Sequence, residues 1–306
     1  MHISITGRLG SGKSTIAKIL KDEHGFEVYS TGAVHREIAL EHKVSTLEMN
    51  QLMAQDLSFD HAIDDAVTRI SIERKKETIV FDSRMAWKFA VNSFKIFVTV
   101  DPHVAAIRVI ENRRDKVEEY TDVEDAKTKL IERGRLENER FTDIYDVDNF
   151  DYSNYNLVID STFSSPEELA SIVYSKFVEY RDLHAKTLEI ILSPFSLYPL
   201  TDVGVIEPEK IAAYCEGKEY LSRFASFIAI DGYHFIVDGH KRVLAAILNK
   251  EHFINVLSVD TDVYPAFSSI DNVYAKMRSL GISGLERFQE IGRFKYISYP
   301  TGYDSE

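Results

Sequence analysis

The residues most suited to chemistry lie at the start of the chain, in Gly7-Arg8-Leu9-Gly10-Ser11-Gly12-Lys13-Ser14. They fit G-x-x-x-x-G-K-[ST], the phosphate-binding loop. Glycines let the backbone turn tightly and aim its N–H groups into one concavity. A helix expected over roughly Lys13–Lys21 adds the positive end of its dipole. In this reading Gly7, Gly10, Ser11, Gly12, Lys13, Ser14 and Thr15 hold ATP. Lys13 reaches the β- and γ-phosphates, Ser14 gives a hydroxyl to Mg²⁺, and Asp82, at the end of a later apolar strand, is a second candidate for the metal. An ordinary glycine-rich turn is the competing reading, but a strand-like run precedes this one and a helical pattern follows it.

Arginines form the second chemical set. Thr31 and Arg36 follow the second strand-like run, and Arg84 follows the third. Arg108, Arg113 and Arg114 come next, then Arg133, Arg135 and Arg140. Transfer of a phosphoryl group between two anions concentrates negative charge, which guanidinium groups neutralise in bidentate fashion. A solvated helix face rich in Glu is the alternative for any one of them, above all for Arg113 and Arg135.

These residues need a frame. The runs Ile3–Thr6, Phe26–Tyr29, Thr78–Phe81, Phe94–Val100 and Leu157–Ile159 read as strands separated by amphipathic stretches. Ser45-Thr46-Leu47-Glu48 reads as a capping box, and Ser164-Ser165-Pro166-Glu167 as the start of a helix running to about Tyr180. Alternation of this kind predicts an α/β unit, a parallel sheet with helices on both faces. Its ligands bind beyond the carboxyl ends of the strands, where the glycine loop, Ser30-Thr31-Gly32 and Asp82-Ser83-Arg84 all fall.

Composition narrows the class. The 306 residues suffice for two domains, and the formal net charge of −13 argues against a general nucleic-acid binder. No DNA binding is expected. The single cysteine, Cys215, allows no disulfide within one chain and suits a cytoplasmic protein. No run approaches the roughly 18 apolar residues of a membrane span, and no secretory leader is apparent. The oligomeric state stays open.

The first part of the chain resembles the cytidylate kinases of the nucleoside monophosphate kinase group. TGAVHREIA is similar to that family's segment after the second strand, FDSR to its D-G-R segment, and Arg133-Gly134-Arg135-Leu136-Glu137-Asn138-Glu139-Arg140 to its R-x-x-x-D-x-x-R element. FTDIYDVDNFDYSNYNLVIDST resembles the ending of the archaeal type. The resemblance implies phosphoryl transfer from ATP, with Mg²⁺, to CMP or dCMP. It implies that Thr31 and Arg36 contact the acceptor nucleotide and Arg84 its base or phosphate. It further implies that Arg133 and Arg140 hold transferring phosphates, that Glu137 stands near the cytosine amino group, and that Arg108, Arg113 and Arg114 belong to a lid. Lys13, Arg133, Arg140 and Arg114 form the catalytic set. His35 and Ser83 depart from the family's aromatic and glycine at those positions, which bears on the choice of acceptor. Another small-metabolite acceptor, or a nucleotide-binding regulator with little turnover, is the alternative.

A different pattern begins after a charged boundary near Arg181–Lys186, giving an expected division into residues 1–182 and 187–306. Ile228–Ile230 and Phe235–Val237 flank Asp231-Gly232, a hairpin signal; His240–Leu248 looks helical and Ile254–Val259 strand-like. FIVDGHKRVLAA resembles the strand–turn–helix motif of ParB/sulfiredoxin-like domains, so a smaller α+β domain is expected. Sulfiredoxins carry a catalytic cysteine before the histidine; here Gly239 stands there. Gly239, His240, Lys241 and Arg242 are the candidate anion site, a helix start beside two cations.

Overall fold

The computed structural model describes residues 1–31, 58–111, 120–183, 188–203, 208–217, 223–259 and 270–300. The expected capping box at Ser45 lies outside them, as do Arg36, Arg113 and Arg114. Two compact units emerge, residues 1–100 with 104–188, and residues 101–103 with 189–306.

In the first unit β1 (His2–Gly7), α1 (Lys13–His24), β2 (Glu27–Ser30), α2 (Ser58–Glu73), β3 (Ile79–Asp82), α3 (Ala86–Phe89) and β4 (Ser93–Thr99) follow in order. Then come α4 (Pro102–Glu111), α5 (Val123–Tyr145), β5 (Leu157–Asp160) and α6 (Pro166–Leu183). The sheet runs β2-β3-β1-β4-β5, and every one of these pairings is parallel. β1, β3 and β5 are buried along their whole length, as strands covered on both faces must be. α1 buries Ile16, Ala17 and Leu20 on one stripe and stops where Gly25 takes φ 69°. Val67 of α2 packs with Ile79 and Phe81 of β3 and with Ala86 and Ala90, which fixes α2 beside the sheet.

Strand order reverses at β1, whose neighbours are β3 and β4. Adjacent connections therefore leave in opposite directions, opening a crevice at the carboxyl ends. Gly7, Ser30 and Asp82 are the last residues of their strands and share that rim. An α/β unit built on a parallel sheet is therefore present as expected.

The second unit holds β6 (Glu189–Leu192), β7 (Leu197–Pro199), α7 (Pro208–Gly217), β8 (Ala225–Ile230), β9 (Tyr233–Asp238), α8 (His240–Leu248), β10 (Ile254–Ser258) and α9 (Ile270–Gly292). Its strands run β6-β10-β8-β9-β7 with mixed directions. Asp231 (φ 51°) and Gly232 (φ 94°) both sit in the left-handed region, forming the tight turn between β8 and β9. α9 is broken at Gly281, whose φ of 63° and ψ of 176° no helix accepts.

Candidate functional site

The glycine loop joins β1 to α1. Gly7 has φ +141°, and a Cβ there would sit 2.1 Å from the Val98 carbonyl oxygen, so the strand end tolerates no side chain. Arg8 N–H donates to that carbonyl at 3.0 Å, and Ser11 Oγ to the Arg8 carbonyl at 2.7 Å. Two side chains of the loop, Arg8 and Leu9, pack on residues outside it. The Arg8 guanidinium lies 4.3 Å from the Phe150 ring centroid, and Leu9 packs against Ala105, Ala106 and Leu130. They anchor the loop and leave its backbone to bind.

Lys13 folds across the loop, its Nζ donating to the carbonyls of Arg8 (2.8 Å) and Gly7 (3.1 Å). Burial, reinforced by the nearby Arg84 guanidinium, pulls its pKa down to about 7. A phosphate would replace these carbonyls and restore the charge. At the rim Ser14 Oγ donates to Asp82 Oδ2 at 2.7 Å, and Ser30 Oγ to the same atom at 3.2 Å. Hard oxygen donors of this kind, one hydroxyl and one carboxylate, suit Mg²⁺, which takes few protein ligands and completes its shell with phosphates and water. Among the described residues there is no cluster of three or more His, Cys, Asp or Glu side chains fit for a metal.

Arg84 leaves β3 and returns to the loop. Its Nη1 donates to the Gly7 carbonyl at 2.5 Å, the oxygen that also receives Lys13. Its Nε lies 3.2 Å from Glu137 Oε2, while Arg133 Nε holds Glu137 Oε1 at 3.0 Å. Positions 133 and 137 lie one turn apart on α5, so that face of the helix meets Arg84. Burial alone would raise the Glu137 pKa; Arg84 and Arg133 outweigh it and hold the carboxyl at about 2. Both Glu137 oxygens are thus engaged by arginines beside the glycine loop.

Arg140 lies farther along α5, its Nη1 3.5 Å from Asp60 Oδ2 on α2. Tyr145 donates a hydrogen bond to Asp64 one turn on, and burial pushes the Asp64 pKa up to about 6. Sequence reading missed Asp60, Asp64 and Tyr145. The i, i+4 carboxylates of Asp60 and Asp64 were the available signal, but an exposed acidic stripe gives the same spacing. Thr31 is buried at the end of the described stretch.

Arg108 lies within α4 and donates to the Ser161 carbonyl (2.6 Å), the Ser161 hydroxyl (3.2 Å) and the Thr162 carbonyl (3.3 Å). Its length and burial make it a brace for the exit of β5. In the second unit Arg242 Nη2 holds Asp238 Oδ2 at 3.0 Å, and Nη1 donates to the Phe224 carbonyl. These partners, the last residue of β9 and the residue before β8, tie the guanidinium to the sheet. His240 is kept neutral by burial, with its pKa pulled down to about 4. Gly239 does start α8, at φ +93°, with its Cα so close to Ala225 that a Cβ would come within 2.9 Å. Arg135, as the alternative reading had it, spans Glu132 and Glu139 on the solvent face.

A phosphate loop, a hydroxyl–carboxylate pair and an arginine cluster thus share one rim. Residues 2–163 match the Cytidylate kinase-like family. The chain belongs to that family. Its relatives include the cytidylate kinase of Haloarcula marismortui, 34% identical over 182 residues that make up 59% of this chain and 91% of that protein. The cytidylate kinase of Thermoplasma volcanium is 30% identical over 183 residues, 58% of this chain and 92% of that one. An S-adenosylmethionine-dependent nucleotide dehydratase of Lacinutrix mariniflava is 30% identical over 179 residues, which span only 35% of its length. Membership implies nucleotide binding. Among the described residues no helix is long and apolar enough to cross a membrane.

Proposed function

We propose that this cytidylate kinase-like protein transfers the γ-phosphoryl group of ATP to a nucleoside monophosphate, CMP or dCMP. The observation that carries the reading is the shared Gly7 carbonyl, on which the loop lysine Lys13 and the arginine Arg84 converge. Donor-phosphate and acceptor-side cations therefore meet at one point, as in-line transfer requires.

In this reading the loop amides from Gly7 to Thr15 wrap the ATP phosphates, and Lys13 leaves its carbonyl partners for the β- and γ-phosphates. Ser14 and Asp82 would hold Mg²⁺, which supplies charge neutralisation across the phosphates. Arg84 and Arg133 hold the acceptor phosphate against the γ-phosphorus, with Arg36 and Thr31 on the acceptor side and Arg114 over the donor. An acceptor phosphate oxygen forms the new P–O bond as the bond to the ADP oxygen breaks. That oxygen is already anionic at neutral pH, so no general base is needed. Exclusion of water keeps ATP from being hydrolysed instead. Lys13→Ala should lower CMP-dependent ADP release by at least about a hundredfold while the circular dichroism spectrum stays unchanged. Normal turnover by that variant would refute the assignment.

For residues 187–306 we propose a ParB/sulfiredoxin-like domain. The β8–β9 hairpin, the start of α8 at Gly239 and the return of β10 parallel to β8 support it. With Arg242 engaged, an anion at Gly239 and His240 would rely on the α8 amides and Lys241. In a full chain carrying Lys13→Ala, residual nucleotide binding that Lys241→Ala removes would support this second seat, and binding unchanged by Lys241→Ala would argue against it.

A further inference from the structure

Asp82 closes β3 and Ser30 closes β2. The two strands are parallel, and Ser30 lies beside Asp82 in their register, so both side chains leave the same face of the sheet. Ser30 Oγ donates to Asp82 Oδ2 at 3.2 Å, and Ser14 Oγ donates to that same atom at 2.7 Å. One carboxylate oxygen thus receives two hydroxyl protons. The other oxygen, Oδ1, accepts no hydrogen bond among the described residues. Ser14 and Asp82 have a task in the proposed metal seat; Ser30 has none.

The two donors differ in what carries them. Ser14 lies in the first turn of α1, directly after the glycine loop, and travels with that loop. Ser30 belongs to the sheet. Its strand pairs with β3 from Glu27 beside Ile79 to Ser30 beside Asp82, and β3 pairs in turn with β1 from Ile3 to Ile5. Asp82 is only 8% exposed. A carboxylate so far removed from water is oriented by the hydrogen bonds it accepts. Ser14 alone would let the carboxylate follow the loop as phosphates enter and leave. Ser30 ties it to the frame instead. A hydroxyl that lends a lone pair to a metal ion keeps its proton, so Ser14 can hold Asp82 and an ion together.

We propose that Ser30 is a positioning residue of the metal seat: from the end of β2 it holds the Asp82 carboxylate in the orientation that receives, with Ser14, the Mg²⁺ of MgATP. This rests on the reading of Ser14 and Asp82 as the Mg²⁺ groups. Hydrogen bonds made from behind a metal-facing group orient that group and tune affinity for the ion. Ser30 acts through Asp82 and needs no contact with the nucleotide.

Calorimetry on the full chain tests this without turnover, by measuring ATP affinity in excess Mg²⁺ and again in EDTA. The unchanged protein should bind MgATP more tightly than metal-free ATP. Ser30→Ala removes one hydroxyl and should weaken MgATP binding about three- to tenfold, in the range of one hydrogen bond. Its affinity for metal-free ATP should stay within about twofold of the unchanged protein. Ser30→Thr keeps the hydroxyl, suits a strand and should restore MgATP binding. Added to Asp82→Ala, Ser30→Ala should cost MgATP binding nothing more, because the two act as one unit. Equal losses with and without Mg²⁺ in Ser30→Ala would overturn the inference and leave Ser30 a structural role. So would a Ser30→Thr protein that stays as weak as Ser30→Ala. A protein whose ATP binding depends on Mg²⁺ but is indifferent to Ser30→Ala fails this assignment alone. One that binds ATP equally well in Mg²⁺ and EDTA fails the reading of the metal seat itself.

Discussion

Glu137→Gln isolates the charge cluster that ties α5 to the glycine loop. The carboxyl of Glu137 is held at about 2 against an ordinary value of 4.5. That lowering corresponds to about 3 kcal/mol of stability at pH 7. The folded value lies below the unfolded one, so the contribution is complete above about pH 4.5 and is lost as pH falls toward 2. Near pH 3 roughly half should remain. Glutamine cannot ionise and leaves Arg84 and Arg133 facing each other unneutralised, a loss typical of breaking a buried pair. For a unit of this size, about 3 kcal/mol should lower the melting temperature by roughly 6–12 °C. Scanning calorimetry of both proteins from pH 7 to pH 3 measures this directly. The gap should be largest at neutral pH and close on acidification. A melting temperature within a degree of the unchanged protein at pH 7, or a gap indifferent to pH, would refute the reasoning.

Other consequences follow from the loop. Lys13, with its pKa pulled down to about 7, is mostly neutral at pH 8, and bound phosphates should raise that value again. ATP binding at pH 8 should therefore take up close to one proton, and at pH 6 almost none; calorimetry in buffers of different ionisation enthalpy reads the number, and no uptake at either pH would contradict the Lys13 contact. Gly7→Ala would force a Cβ to 2.1 Å from the Val98 carbonyl oxygen at φ +141°, so ATP affinity should fall more than tenfold and thermal stability should drop. An alanine protein that binds and melts normally would show that the β1 end relaxes freely.

Much of the frame was legible because its signals are local. Apolar runs of strand length give β1 to β5 within a residue or two, and Pro166 begins α6 where the capping pattern places it. The glycine loop was legible for the same reason, each residue answering to its own backbone need. Side-chain partners across the fold were not. Arg108 and Arg84 look alike in sequence, yet one braces the carbonyls after β5 and the other reaches the Gly7 carbonyl. Arg242 looked free beside a helix start, but Asp238, four residues before it, holds it. Asp60 carried no motif at all. Its ion pair appears only when α2 packs on the sheet and brings the carboxylate to Arg140 from eighty residues away. Arg36 and Arg114 lie outside the described residues, so their assigned roles rest on the resemblance.

The most direct test of the account is ADP release from ATP with each of CMP, dCMP, UMP, AMP and GMP, and with no acceptor. Rapid Mg²⁺-dependent release with CMP or dCMP, slower release with UMP, and little without an acceptor is the predicted result. Tight ATP binding with no stimulation by any of the five would contradict phosphoryl transfer to a nucleoside monophosphate.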